Sequence, residues 1–213
     1  MNVLVIDNCL YTRLGISCLL AEDENFNIHH VNDISAAIEN IPSPAADVVL
    51  VNLTDYCKKN ERNAMLLDFF EHFSGSRIFI YLNAPYPDSQ RPLTLSRNVY
   101  ILNKQSITTL LKTLQMLSEK ANYPHSLVQY YGEYPTLTDR EISIMQYWME
   151  EVPNHKIARK LNICSRTVYV HKQHITEKMC VRNRLEFCYL YNVIKYVNYQ
   201  PARTLLTANS DII

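Results

Sequence analysis

The chain has 213 residues, 47% of them hydrophobic and 20% charged, with 21 basic against 21 acidic side chains and a formal net charge of zero. That length suits one large domain or two small ones, and the composition fits a globular chain, not a disordered or fibrous one. No run of about 18 apolar residues occurs, so no membrane span is expected; the start Met1-Asn2-Val3-Leu4 lacks the basic flank of a signal peptide, and the expected location is the cytoplasm.

The first strand signal is Val3-Leu4-Val5-Ile6, a continuous apolar run ending at Asp7-Asn8. Such runs suit strands buried on both faces of a helix-covered parallel sheet. Thr12 to Leu20, apolar at Leu14, Ile16, Cys18, Leu19 and Leu20, predicts the first helix. A short run over Phe26–Val31 and a helical stretch from Ile34 to Ile41, stopped by Pro42, come next. Asp47-Val48-Val49-Leu50-Val51 is a second buried strand, and Met65–Phe73 is a helix ended by Gly75. Ile78–Leu82 and Val99–Leu102 complete the strands, and Ile107–Leu117 closes the unit as an amphipathic helix. The stretch Leu82–Leu95 carries Pro85, Pro87 and Pro92, so a loop or a short distorted helix is expected there. Strands alternating with helices predict an α/β fold, a doubly wound parallel five-stranded sheet over residues 1–120. The six cysteines show no C-x-x-C pair and suit small buried hydrophobes.

In a doubly wound sheet, function sits at the carboxyl ends of the strands. Those ends carry Asp7-Asn8, Asn52, Asn83 and Asn103-Lys104. The layout resembles the receiver domain of two-component response regulators over the whole first half. That resemblance implies an acidic pair for Mg²⁺ after the first strand and a phosphate-accepting Asp after the third. It also implies a hydroxyl after the fourth strand and a Lys after the fifth. Here the pair is Asp7-Asn8, the acceptor position falls on Asn52, the hydroxyl position on Asn83 and the Lys position on Asn103, with Lys104 one step beyond. A carboxamide is not the nucleophile that an aspartyl phosphate requires, and a missing carboxylate weakens a Mg²⁺ site. The expectation is a degenerate phosphoacceptor pocket that keeps the scaffold without the switch. Asn52, Asn83 and Asn103 equally suit turn capping. Phosphorylation at Asp55, three residues past the strand end, would need a different loop geometry. No catalytic residue, metal ligand or cofactor is expected.

Asn122-Tyr123-Pro124 and Gly132-Glu133-Tyr134-Pro135 mark a linker over residues 121–135. A second domain follows over 136–199, and residues 200–213 are expected to form a flexible tail. Thr138-Asp139-Arg140-Glu141 is a capping box opening a helix through Ile142, Met145, Tyr147, Trp148 and Met149. Asn154 is expected to cap a short second helix with Ile157, Ala158 and Leu161 inward. Asn162-Ile163-Cys164 forms the turn, and Ser165 is expected to cap a third helix with Val168, Ile175 and Met179 inward. A fourth runs from about Arg182 to Val197 with Leu185, Tyr189, Val193 and Tyr196 inward, giving an all-α four-helix helix-turn-helix unit. Between Pro153 and Arg184 the cations are Lys156, Arg159, Lys160, Arg166, Lys172, Lys178, Arg182 and Arg184, against the single acid Glu177. A basic patch on one half of a neutral chain is an electrostatic footprint for phosphate.

The residues Leu137-Thr138, Arg140-Glu141, Asn154, Ile157-Ala158, Leu161, Ile163-Cys164-Ser165, Thr167-Val168, His171, Ile175, Lys178-Met179 and Val181-Arg182-Asn183-Arg184-Leu185-Glu186 resemble the LuxR/FixJ/NarL-type helix-turn-helix nearly end to end. The resemblance implies that the helix from Ser165 to Met179 enters the major groove and that the last helix supports dimer contact. Tyr169, Val170 and Gln173 then face base edges, with His174 pointing outward beside them; Gln pairs with adenine and Val meets the thymine methyl. Ser165, Arg166, Thr167, Lys172, Lys178 and Arg184 are the phosphate candidates. His171 suits a packed histidine and a backbone contact equally. A glycine common in the family near Glu151 is absent, and Pro153 stands in place of a small polar residue, so a stiffer turn is expected.

With Tyr11-Thr12-Arg13-Leu14-Gly15 in the first helix, the chain resembles the RcsA/BglJ group of auxiliary regulators. That implies a transcription activator and not an enzyme. Its partners would be double-stranded DNA and a second response regulator of the RcsB type, held as a heterodimer without phosphate. A homodimeric activator, a phospho-switch using Asp55 and an interaction module without DNA binding are the alternatives.

Overall fold

The computed structural model describes residues 1–21, 25–42, 45–58, 63–89, 92–96, 98–112 and 137–197. The expected linker at 121–135 and the tail at 200–213 lie outside them. The first half runs β1 (Asn2–Ile6), α1 (Leu10–Leu20), β2 (Asn27–Val31), α2 (Ile34–Asn40), β3 (Val48–Asn52), α3 (Thr54–Cys57), α4 (Ala64–His72), β4 (Arg77–Leu82), β5 (Leu93–Thr94) and β6 (Val99–Asn103). A single turn, Lys104–Ser106, leads into helix α5, described over residues 107–112.

The sheet order is β2-β1-β3-β4-β6-β5, with every pairing parallel except β5 against β6. Its five parallel strands follow the flavodoxin-like order of doubly wound folds. The expected five-stranded sheet thus gains a sixth, antiparallel edge strand. It comes from the proline-bearing stretch, where a loop or distorted helix was expected; Leu93 pairs with Ile101 and Thr94 with Tyr100. No proline lies at either of those two positions, so the proline argument does not reach them.

Strict alternation sorts each central strand between two cores, because successive side chains point to opposite faces. Val3, Val5, Leu50, Phe79, Tyr81 and Leu102 pack with Ile16 and Leu20 of α1 and with Leu110 of α5. Leu4, Ile6, Val49, Val51, Ile80 and Ile101 pack with Ile34 of α2 and Leu66 and Phe69 of α4. Side-chain caps fix two helix starts: Asp33 accepts from the Ala36 N–H at 2.9 Å and Asn63 from that of Leu66 at 3.4 Å.

The second half is α6 (Asp139–Met149), α7 (Asn154–Leu161), α8 (Ser165–Lys178) and α9 (Arg184–Ile194). The capping box forms as expected, with the Glu141 N–H donating to Thr138 Oγ1 at 3.3 Å and the Thr138 N–H to Glu141 Oε2 at 2.7 Å. Two expected caps move by one residue. Pro153, not Asn154, precedes α7, and Cys164, not Ser165, caps α8, its sulfur accepting from the Thr167 N–H at 3.4 Å. The last helix is shorter than expected, and Asn183 caps it. Val193 and Tyr196 are buried as expected, but Leu185 is 61% exposed. With the helix beginning at Arg184, Leu185 falls in its first turn on the outer side. The inward stripe instead holds Phe187, Leu190, Val193 and Ile194, with Phe187 stacked on Trp148 at 4.9 Å.

The two halves share one continuous apolar core through α9. Asn192 Nδ2 donates to the Cys57 carbonyl of α3 at 2.9 Å, and the Asn63 N–H donates to the Tyr196 hydroxyl at 2.7 Å. The Asp88 N–H donates to the Cys180 carbonyl at 2.7 Å, and Tyr86 stacks on Tyr189 at 6.4 Å.

Glu151, in the turn before α7, adopts φ 59°, left-handed backbone that favours glycine. Among the described residues its ion pair is a 3.7 Å contact with Arg184 in which its side chain is 84% exposed, a contact worth little. Glu151→Gly is therefore expected to leave the fold intact and to stabilise the chain by at most about 1 kcal/mol. Matched thermal melts of the two proteins check this; a lower melting temperature for the glycine variant would contradict the strain.

Candidate nucleic-acid interface

Helix α8 is wedged into its domain along one side and open on the other. Val168 and Ile175 are fully buried and Met179 nearly so. Tyr169, Val170, Gln173 and His174 are all exposed, Tyr169 at 56% and Val170 at 38%. Ser165 and Arg166, in the first turn, are exposed as well, and Thr167 is half-buried with its hydroxyl 3.0 Å from Cys164 Sγ. At 100° per residue, Arg166, Val170, Gln173 and Glu177 line the middle of the outer face, with Tyr169 and His174 at its margins. Glu177, which the sequence reading left unassigned, puts a carboxylate on this face, so its phosphate-compatible part is the first three turns.

Two cations expected to face phosphate turn inward instead. Lys178 Nζ donates to Glu141 Oε2 at 2.8 Å and Oε1 at 3.0 Å, and the Glu141 side chain is only 3% exposed. Lys172 Nζ donates to Asn154 Oδ1 at 2.7 Å and lies 4.9 Å over the Trp148 ring. Burial, and then the nearby Arg184, hold the Lys172 amine below its ordinary pKa. Charge counting could not separate these two from Arg166, because only the helical phase and the position of α6 and α7 do so. Arg184 is exposed at the start of α9. His171 is half-buried and its Nδ1 has no hydrogen-bond partner, the packed alternative of the two expected. Glu141, His171 and His174 bring ligand-type atoms within 4.8 Å of one another, but both Glu141 oxygens are already held by Lys178 and Thr138.

The strand ends expected to form a degenerate phosphoacceptor pocket hold a closed hydrogen-bond network. Asp7 is 1% exposed. Its Oδ1 accepts the Cys9 N–H at 2.8 Å, and its Oδ2 accepts the Tyr81 hydroxyl at 2.5 Å and Asn52 Nδ2 at 3.1 Å. Arg13 holds the Asp7 carbonyl. Asn52 Oδ1 accepts from both the N–H and the hydroxyl of Thr54, at 3.1 and 2.6 Å, and the Asn83 N–H donates to that hydroxyl at 2.8 Å. Asn103 is buried, donating to the Pro87 carbonyl at 2.8 Å and accepting from Ser106. Lys104 Nζ is drawn to Thr12 Oγ1 at 2.8 Å, and Asn8 is exposed. Asn52 and Asn103 therefore do the turn capping that their residue type allows, whereas Asn83 contributes its backbone N–H. Tyr81 was not foreseen: burial first, and then its bond to Asp7, push its phenol pKa far up, so it stays a donor. These residues do not fit Mg²⁺, since the one carboxylate has both oxygens committed and its neighbours are carboxamides. Asp55 is exposed and pairs with Lys58 at 3.3 Å.

A family model described as "Transcriptional regulator RcsA, N-terminal dimerisation domain" matches residues 2–125. A second, "Bacterial regulatory proteins, luxR family", matches residues 135–190. The transcriptional regulatory protein EntR of Citrobacter freundii is 28% identical over 191 residues, covering 86% of this chain and 94% of its own. The transcriptional regulatory protein RcsA of Pantoea stewartii subsp. stewartii is 23% identical over 202 residues, covering 92% and 93%. A solved complex of the response regulator RcsB with DNA is 24% identical, covers 91% of this chain and 98% of that one, and has a TM-score of 0.53, a likeness of fold. No described helix is long and apolar enough to cross a membrane.

Burial works to raise the pKa of Glu141, but the hydrogen bonds from Lys178 and Thr138 outweigh it and leave the carboxyl below its ordinary value of 4.5. A lowered carboxyl pKa stabilises the fold above the unfolded value, and that contribution is lost as pH falls through the folded one. Lys178→Met leaves a buried carboxylate without its cation and is expected to cost on the order of 2 kcal/mol at pH 7. The deficit should shrink in acid, well below the ordinary carboxyl value of 4.5, as Glu141 protonates. Denaturant unfolding at the two pH values checks this; an equal deficit at both would contradict it.

Proposed function

The chain belongs to the RcsA family of transcriptional regulators, with that family's N-terminal dimerisation domain ahead of a luxR-family domain, and on that premise we propose that it recognises promoter DNA through α8 as the phosphate-independent partner of a second response regulator. The observation that carries the DNA reading is the outer face of α8. A base-sized array of Val170 and Gln173, flanked by Tyr169 and His174, stands exposed on a helix whose inner face is fully packed. Gln173 suits adenine and Val170 the thymine methyl. Arg166 with Ser165 and Thr167 at the helix start, and Arg184 at the start of α9, take the phosphates; Lys172 and Lys178 hold the helix in its bed.

Phosphate independence is supported by the pocket itself. Asn52 offers no carboxylate, and Asp7 is saturated by Tyr81, Asn52 and the Cys9 N–H. A domain of this kind retains contact with other proteins, and the family's dimerisation role fits a heterodimer with an RcsB-type regulator. Promoter activation in the cytoplasm is the outcome of that pairing.

The test is footprinting and gel-shift binding of the full chain with and without the RcsB-type regulator. A specific footprint is expected only with both proteins; tight specific binding by this chain alone overturns the heterodimer. Affinity should fall steeply with salt, and a flat salt response overturns the phosphate contacts. Gln173→Ala is expected to relax base preference at one position by about 1–3 kcal/mol, whereas Arg166→Ala weakens all sequences alike and reduces the salt slope by about one. Incubation with acetyl phosphate and Mg²⁺ should leave the intact mass unchanged; a phosphoryl adduct, at Asp55 above all, sinks the phosphate-independent reading.

A further inference from the structure

One side chain on the outer face of α8 has the wrong sign for DNA. Between Pro153 and Arg184, Glu177 is the single acid against eight cations. It stands exposed in the last turn of α8, on the same side of the helix as Val170 and Gln173. Seven residues on from Val170 and four from Gln173, it lies about 20° from the first and about 40° from the second around the axis. Its carboxylate therefore shares the row expected to meet base edges.

The helix itself gains nothing from an acid at this place. Among the described residues Glu177 enters no ion pair. The nearest cations in sequence are engaged elsewhere, Lys178 with Glu141 at 2.8 Å and Arg182 with Glu186 at 2.9 Å. The last turn of a helix carries partial negative charge, which favours a cation there and opposes a carboxylate. An acid kept against that field, unpaired within the chain and aimed along the reading row, is placed for a donor outside the chain.

We propose that Glu177 selects a cytosine, its carboxylate accepting from the exocyclic amine in the major groove. The proposal rests on the reading that α8 enters that groove, and it adds a position to the site. An ionised carboxylate only accepts hydrogen bonds. Guanine and thymine present acceptors to it, and adenine sets N7 beside its amine, whereas cytosine offers an amine with no acceptor next to it. Four residues of helix rise about 6 Å, so the cytosine lies about two base-pair steps from the base that Gln173 reads. On any other duplex the charge stays unpaired close to phosphates. With Lys172 and Lys178 turned inward, Arg166 is the cation that α8 itself sets against Glu177 on this face. The outer face of α8 therefore discriminates more than it attracts, and attraction falls to the cations around it.

Selection of duplexes from a randomised pool by the full chain, alone and with the RcsB-type regulator, tests the proposal. The native chain is expected to prefer a C·G pair about tenfold at a position about two base pairs from the one that responds to Gln173→Ala. Glu177→Gln keeps the size and removes the charge. It should abolish that preference and tighten binding to unrelated duplex. The same variant should melt at a slightly higher temperature, because the helix end loses an opposed charge; a lower melting temperature assigns the acid to the fold and overturns the proposal. Base preference unmoved by Glu177→Gln, or an A·T pair at the responding position, also overturns it. If Gln173→Ala alters the selected sequence and Glu177→Gln does not, the cytosine contact falls and the α8 reading stands. A native chain that selects no sequence in either setting removes both.

Discussion

A carboxylate taken out of water must be met on both oxygens, and each half of this chain is arranged around one that is. In the sheet domain it is Asp7, answered by a backbone N–H, a phenol and a carboxamide. In the helical domain it is Glu141, answered by Thr138 and Lys178. Removing one partner from such a group costs far more than the bond it made, because the remaining charge stays buried. These two sites therefore fix geometry well beyond themselves. Glu141 ties the start of α6 to the end of α8 and so sets the pitch at which α8 presents its outer face. Asp7 ties β1 to β3 and β4 and closes the pocket in which a receiver would work.

The closed pocket still connects to the helical domain. Asn52 holds both polar atoms of Thr54, the residue that begins α3, and the Cys57 carbonyl at the end of α3 accepts from Asn192 of α9. Four residues thus separate the former acceptor position from the seam between the halves. In a chain with a phosphorylatable carboxylate at that point, a charge would disturb the start of α3 and thereby its hold on α9. Here a neutral carboxamide satisfies the same backbone. The burial that raises the Cys57 thiol to about 12 belongs to the same packing, and it keeps that sulfur a thiol, with no competing charge in the seam.

The parallel strands, the capping box and the inward stripe of α8 were legible because each follows a period or a spacing that local chemistry dictates. The five central runs fell on strands, and Val168, Ile175 and Met179 fell inside. The failures share a cause. β5 is two residues long and exists only because β6 offers it an edge. Leu185 was assigned inward from a helix start that a shift of two residues moved outward. Charge alone does not show that Asn154 and Trp148 engage Lys172, or that Glu141 engages Lys178, across the fold. Tyr81 left no sequence signal as a pocket residue, being one aromatic in a strand of apolar ones. Cross-element partners decide all of these, and a single sequence does not print them.

The zero net charge conceals two surfaces with opposite physics. Around α7 and α8 the exposed cations Lys156, Arg159, Lys160 and Arg166 act at a distance and are screened by salt. The outward face of α1 carries no charged side chain, and burying an apolar face of this kind draws on area removed from water, which salt does not weaken. Asp7 is saturated and Asn52 neutral, so this pocket presents no free carboxylate beside the surfaces that flank it.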